Sequence, residues 1–153
     1  MGVFVTEVRP RWSDMDAYGH VNNANTVTLL EEARIDLLFR DAAEYGETDL
    51  AKGVLVARLS VDYHAPLIVI AGRTVTVQIA VTQVRAASFT LGYTIHDSIS
   101  SGTNGSRNGR TKIATAETVL VPYDLAAARP RRLTDAERAF LDRYRPEPVP
   151  AHA

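Results

Sequence analysis

The chain has 153 residues, a length for one domain whose core can hold without covalent staples. Hydrophobic residues make up 46% and charged residues 23%, and 17 basic against 18 acidic side chains leave a net charge of −1. That balance supplies no basic field for phosphate backbones, which argues against a dedicated nucleic-acid binder. The absence of cysteine excludes disulfides, thiolate nucleophiles and cysteine zinc sites.

The N-terminal residues alternate early and meet a carboxylate at Glu7, so no secretory leader is read there. The longest apolar run, 67–71, is far below the about 20 residues of a membrane helix. A soluble, cytoplasmic protein is expected. Residues 3–11 read as a first strand with Phe4 and Val8 on one face. A polar, turn-forming stretch over 13–23 follows, and then Val27, Leu30, Arg34, Leu37 and Leu38 recur at helical spacing. The spacing predicts a helix over 23–40, capped by Asn22 or Asn23, with Gly46 as a stop.

From residue 55 to 121 the pattern has period 2. Leu59, Val61 and Tyr63 alternate with polar neighbours, as do Val75, Val77, Ile79 and Val81, and Phe89, Leu91, Tyr93 and Ile95; a last strand covers about 112–121. Such repetition indicates an antiparallel sheet with one apolar face. Residues 98–110 hold five hydroxyl residues and three glycines and read as a mobile hairpin loop. Thr134 and Glu137 form a capping box that opens a short helix to about Tyr144. Residues 1–145 are expected as a single domain and 146–153 as a proline-rich disordered tail. One apolar sheet face and one long helix must cover each other, which gives an α+β fold of five antiparallel strands curled around that helix.

The loop before the helix carries the chemistry. Asp14, Asp16, His20, Asn22 and Asn23 fall within ten residues, beside a helix N-terminus. The first amides of a helix lack internal partners and carry about half a positive charge in sum, so a carbonyl oxygen placed there is polarised. A carboxylate a few residues earlier can attack the same carbon or activate a water. The competing reading is that Asp and Asn cluster before helices simply because they cap and turn. A metal reading with Asp14, Asp16 and His20 lacks a second histidine at ligand spacing, and no metal site is expected. His64 and His96 read as sheet-face residues, and Glu31 and Glu32 as a solvated or interface face.

The string Arg11-Trp12-Ser13-Asp14-Met15-Asp16-Ala17-Tyr18-Gly19-His20-Val21-Asn22-Asn23, followed by Leu30-Glu31-Glu32-Ala33-Arg34, resembles the hotdog-fold acyl-CoA thioesterases of the 4-hydroxybenzoyl-CoA thioesterase-like group. Val61-Asp62-Tyr63-His64-Ala65-Pro66-Leu67 and Ala87-Ser88-Phe89 fit the same pattern. The resemblance implies a hotdog fold whose sheets join edge to edge in a homodimer or a dimer of dimers, with active sites at the subunit boundary. It implies hydrolysis of an acyl-CoA or acyl carrier protein thioester with no cofactor, coenzyme A being part of the substrate. Matched residue by residue, it gives Asp16 as the catalytic carboxylate, the Asn23 backbone amide as the carbonyl-polarising donor and Gly19 as the residue that allows close approach or merely satisfies the turn. His20, Asn22, Tyr63, Arg85 and Ser88 follow as substrate contacts, and Asp14 as a support that holds the loop. The chain departs from the group at Thr26 and near Leu29, where an aromatic residue is usual, and before Ser88, where Arg85 alone remains of a basic cluster. An acyl-thioester hydratase or dehydratase and a non-catalytic acyl-CoA binding protein are the alternatives. Asp16 and His20 have three residues between them, whereas the hydratase pattern has four.

Overall fold

Alternation at the start of the chain places Phe4 and Val8 inward, and strand β1 runs over Phe4–Val8 in the computed structural model, which describes residues 2–70, 72–100 and 110–147. The expected loop over 98–110 and the expected tail fall largely outside the described residues. A 23-residue helical stretch follows β1: α1 at Asn23–Ile35, a π-helical turn at Asp36–Asp41 and α2 at Ala42–Tyr45. It extends past the predicted end at residue 40, because nothing breaks it before Gly46, which closes it with a left-handed φ of 102°. The π turn has no signature in the sequence. Within it the Ala42 amide donates to the Leu37 carbonyl, five residues back, and the wider register lets Leu37, Leu38 and Ala42 all reach the core. Thr6 donates to Asp36 at 2.6 Å, pinning this turn to β1.

The strands β2 (Val54–Tyr63), β3 (Val75–Val84), β4 (Phe89–Ser100) and β5 (Arg110–Asp124) join β1 in one antiparallel sheet of order β1-β3-β4-β5-β2. A two-residue strand, β6 (Arg129–Pro130), pairs with the end of β5. The register defines two ends of the sheet. At one, Tyr63, Ala114, Ile95 and Val77 stand side by side; at the other stand Val56, Leu120, Phe89 and Val84. Every inward residue predicted on β3 and β4, from Val75 to Ile95, is buried under the central helix. The last helix, α3 (Asp135–Asp142), starts on the predicted capping box, with Thr134 and Glu137 each accepting the other's backbone amide. Its Phe140, with Tyr144 just beyond, packs against Phe4 and Tyr45 and closes the open end of the core.

β2 departs from the expectation of one satisfied apolar face. The helix leans over β1 and β3, so β2 is an uncovered edge strand. Leu59 is 38% exposed, Val56 46% and Tyr63 49%, although their β5 neighbours Thr118, Leu120 and Ala114 are buried. A bulge at Ala57 keeps Val56 and Val54 on the same inward face as Leu59, Val61 and Tyr63. Proteins rarely leave a ten-residue apolar edge open to water.

Candidate active site

The segment before α1 is a hairpin in miniature. Met15 and Val21 form an antiparallel bridge, and the Asp16 amide donates to the His20 carbonyl at 2.8 Å. Gly19 closes the turn at φ 76°, and its amide donates to the Asp16 carbonyl at 3.1 Å. Asp14, below this turn, is buried, accepting the Arg11 amide at 2.7 Å and the Arg11 guanidinium at 3.1 Å. Burial pushes its carboxyl up, but the Arg11 bonds outweigh that and hold it below the usual carboxylate range. The Asp14 carbonyl in turn receives the Asn22 amide at 2.9 Å and the Asn25 carboxamide at 3.1 Å, so the hairpin is fastened to the first turn of α1.

Asn22 is the cap: its side-chain oxygen accepts the Ala24 amide at 2.9 Å. The Asn23 amide bonds no acceptor among the described residues, and it stands at the positive end of the 23-residue helix. The Asp16 carboxylate is half-buried; one oxygen accepts the Tyr18 amide at 2.9 Å, a local Asx turn that fixes the side chain while leaving the other oxygen unbonded among the described residues. The His20 ring is half-buried beside it, with no hydrogen bond to the described residues.

Tyr63 reaches the same place from the sheet. Its hydroxyl donates to the Asn23 carbonyl at 2.6 Å, and burial pushes its pKa up, so it stays protonated. The Val21 amide donates to the Leu67 carbonyl at 2.7 Å, which docks the segment after β2 onto the hairpin. Asp16, Gly19, His20, Asn22, Asn23 and Tyr63 are therefore brought together. The roles of Leu67 and Asn25 as clasps were not read from the sequence; a backbone carbonyl carries no signal there, and Asn25 looks like any other asparagine near a cap.

Arg85 and Ser88 do not join them. They bracket the β3–β4 turn, where the Arg85 amide donates to the Ser88 carbonyl at 2.8 Å, at the Val56 end of the sheet. Seven residues of β2, about 23 Å at strand rise, separate that end from Tyr63. Among the described residues no group of three His, Cys, Asp or Glu side chains is arranged to hold a metal ion, and no helix is long and apolar enough to cross a membrane.

A family model described as the thioesterase-like superfamily matches residues 10–152. The chain belongs to that superfamily. Solved structures of hotdog thioesterases superpose on this thioesterase-like chain over nearly its whole length. A predicted thioesterase from Bacillus stearothermophilus is 24% identical, with a TM-score of 0.73, covering 97% of this chain and 100% of its own. A thioesterase from Thermus thermophilus, solved with coenzyme A and zinc, is 28% identical with a TM-score of 0.68 and 92% of each chain covered. A 4-hydroxybenzoyl-CoA thioesterase variant solved with 4-hydroxybenzoyl-CoA is 12% identical, with a TM-score of 0.71, and covers 92% of this chain and 99% of its own. Among curated proteins none matches.

Proposed function

We propose that this thioesterase-like chain hydrolyses an acyl-CoA to the free acid and coenzyme A, with Asp16 and the Asn23 amide as the working groups. The observation that supports it is the Asn23 amide at the mouth of α1, which bonds no acceptor among the described residues and follows a hairpin whose Asp16 carboxylate is fixed by the Tyr18 amide. A thioester oxygen on the Asn23 amide meets a donor and the helix dipole, both already oriented before charge develops. The Asp16 carboxylate then attacks the carbonyl carbon, or takes a proton from the water that does. The C–S bond breaks and coenzyme A leaves as a thiolate that needs little acid assistance; where water attacked, the free acid is already formed, and where Asp16 attacked, a water then cleaves the mixed anhydride to the free acid and the Asp16 carboxylate. Gly19 keeps the turn open to the approaching carbonyl.

The reading includes a second copy of the chain. The apolar edge of β2 pairs with its own counterpart in a homodimer, alone or as half of a dimer of dimers, continuing the sheet and covering Val56, Leu59 and Tyr63. In an antiparallel pairing the Tyr63 end of one chain lies beside the Val56 end of the other, which sets Arg85 and Ser88 of the second copy toward Asp16 of the first. The acyl group follows the groove between the helix and β2, about 210 Å³ in one chain, where Ile35, Leu38, Phe39, Val54 and Val56 form the walls. The thermophilic relative solved with coenzyme A supports that donor; acyl carrier protein is the other.

Thiol release from a panel of acyl-CoAs, from acetyl to palmitoyl and including an aromatic one, tests the proposal. Release from at least one, lost in Asp16→Asn, is the expected result. Release from none overturns it and favours a binding module.

A further inference from the structure

The groove that takes the acyl group in this reading is apolar except where Glu31 and Arg34, one turn apart on α1, line it. Arg34 is half-buried and forms no ion pair with any described residue. Its Nη1 stands 3.5 Å from the Tyr93 hydroxyl, a weak contact and its only hydrogen bond among the described residues. The helical stretch continues past it to Tyr45, so no free helix carbonyl claims the charge either. Glu31 is exposed and does not pair with it.

The sheet facing this guanidinium is polar as well. Tyr93 stands between Leu91 and Ile95 on β4, and Thr118 between Ala116 and Leu120 on β5, so two hydroxyls interrupt an otherwise apolar face. Both side chains are buried, and their hydroxyls share a hydrogen bond at 2.8 Å. A phenol oxygen that accepts from Arg34 turns its own proton toward Thr118, and this relay orients the guanidinium while leaving its other donors free. A guanidinium that is partly desolvated and without a counter-charge favours a carboxylate, which it grips through two parallel bonds.

We infer that Arg34 selects the acyl group: the substrate is a thioester whose acyl chain ends in a carboxylate, held by Arg34 while the thioester carbonyl lies on the Asn23 amide. The inference rests on the acyl-CoA reading. The register sets the length. Tyr63, which bonds the Asn23 carbonyl, is two residues from Val61, and Val61, Ala116 and Tyr93 stand side by side on β2, β5 and β4. Two residues along and two strands across put Tyr93 about 12 Å from Tyr63 in the plane of the sheet. An extended acyl chain of about eight carbons spans about 9 Å between its terminal carbons, and the hydrogen bond at its far end adds about 3 Å. Tyr93 is in this account a positioning residue, acting through Arg34.

Calorimetry on the full chain compares two thioethers that hydrolysis cannot cleave, 7-carboxyheptyl-CoA and octyl-CoA, equal in length and differing only in the terminal carboxylate. The wild type is expected to bind the carboxylate form about tenfold more tightly, the effect of one charge-assisted pair. Arg34→Met, close in length but uncharged, should reverse the order. Arg34→Lys should keep a reduced preference, and Glu31→Gln, which removes a like charge from the same wall, should enlarge it. Thiol release should follow, with kcat/KM for the dicarboxylic monothioester exceeding that for octanoyl-CoA in the wild type and falling below it in Arg34→Met. Equal affinity of the wild type for the two thioethers, or a preference that survives Arg34→Met, overturns the inference. So does an Arg34→Met protein that dissociates to monomers by light scattering and loses affinity for both thioethers alike, since Arg34 would then serve a carboxylate of the second copy. If melting curves show Arg34→Met unfolded, Arg34→Lys and Glu31→Gln decide, and a ratio unchanged in both overturns the inference. An Arg34-dependent preference in a wild type that releases no thiol keeps the inference and refutes hydrolysis; thiol release from octanoyl-CoA with octyl-CoA bound more tightly does the reverse.

Discussion

Asp14 and Asp16 are two residues apart and occupy opposite physical situations, so exchanging each for asparagine separates chemistry from architecture. Asp16 offers one oxygen to the Tyr18 amide, and an asparagine oxygen replaces it in that bond. Asp16→Asn should therefore melt within about 0.5 kcal/mol of wild type, as exposed substitutions do. The charge and basicity are gone, and the hydrolytic rate should fall roughly 10²–10⁴-fold, about 3–5 kcal/mol of barrier. Asp14 is buried and receives both the Arg11 amide and its guanidinium. An asparagine has one acceptor where Asp14 uses two: its oxygen can keep the Arg11 amide, but its NH2 then faces the Arg11 guanidinium, donor against donor, while the 68% exposure of that side chain leaves the lost charge itself little weight. Losing that geometry costs about 1–3 kcal/mol, and at about 2–4 °C per kcal/mol for a chain of this size the melting temperature should drop by roughly 2–12 °C. Rate per folded enzyme should change far less. Thiol release and thermal melting, measured on both variants at one pH, decide the matter. An Asp16→Asn protein with near-wild-type release, or an Asp14→Asn protein that loses more rate per folded molecule than Asp16→Asn, refutes the assignment.

Leu59→Lys places a charge at the middle of the exposed β2 face and should shift the protein from dimer to monomer by light scattering at micromolar concentration; a wild type already monomeric there would refute the β2 pairing. Tyr63→Phe removes the bond to the Asn23 carbonyl, and since one such bond is worth about 0.5–1.5 kcal/mol, kcat should fall roughly 3–10-fold with KM nearly unchanged. Burial alone would raise the Glu137 carboxyl, but the Arg131 guanidinium and the Thr134 amide outweigh it and keep it below the usual range. A carboxyl depressed in the folded state contributes stability that is present above its unfolded pKa of about 4.5 and fades as pH falls below that; Glu137→Gln should flatten the acid limb of a melting-temperature profile while lowering the plateau. Tyr144, pushed up to about 12 by burial and by its bond to Asp41, works in the opposite direction. Its stabilisation is full below about pH 10 and fades as pH rises toward 12, an alkaline loss that Tyr144→Phe should remove.

The period-2 runs of β3 and β4 and the capping box at Thr134 were legible in the chain itself, because burial on one face and satisfaction of free helix amides are local requirements that each segment meets with its own residues. The same holds for Asn22 as a cap and for Gly19 and Gly46 in left-handed turns. The motif from Asp14 to Asn23 placed a carboxylate beside a helix start on spacing alone, and the resemblance it carries agrees with the superfamily match. Three matters waited for the tertiary structure. The π turn at Asp36–Asp41 depends on how Leu37, Leu38 and Ala42 must all meet one sheet, which no periodicity within the helix records. The uncovered face of β2 depends on which way the helix leans: Leu59 and Ile79 have the same alternation in sequence, yet one is half-exposed and the other fully buried. Arg85 and Arg132, 47 positions apart, become neighbours only because β6 turns back along β5 and hands Leu133 to Ala86. Local patterning sets which face of each element turns inward; the packing of whole elements decides which faces and charges are left over.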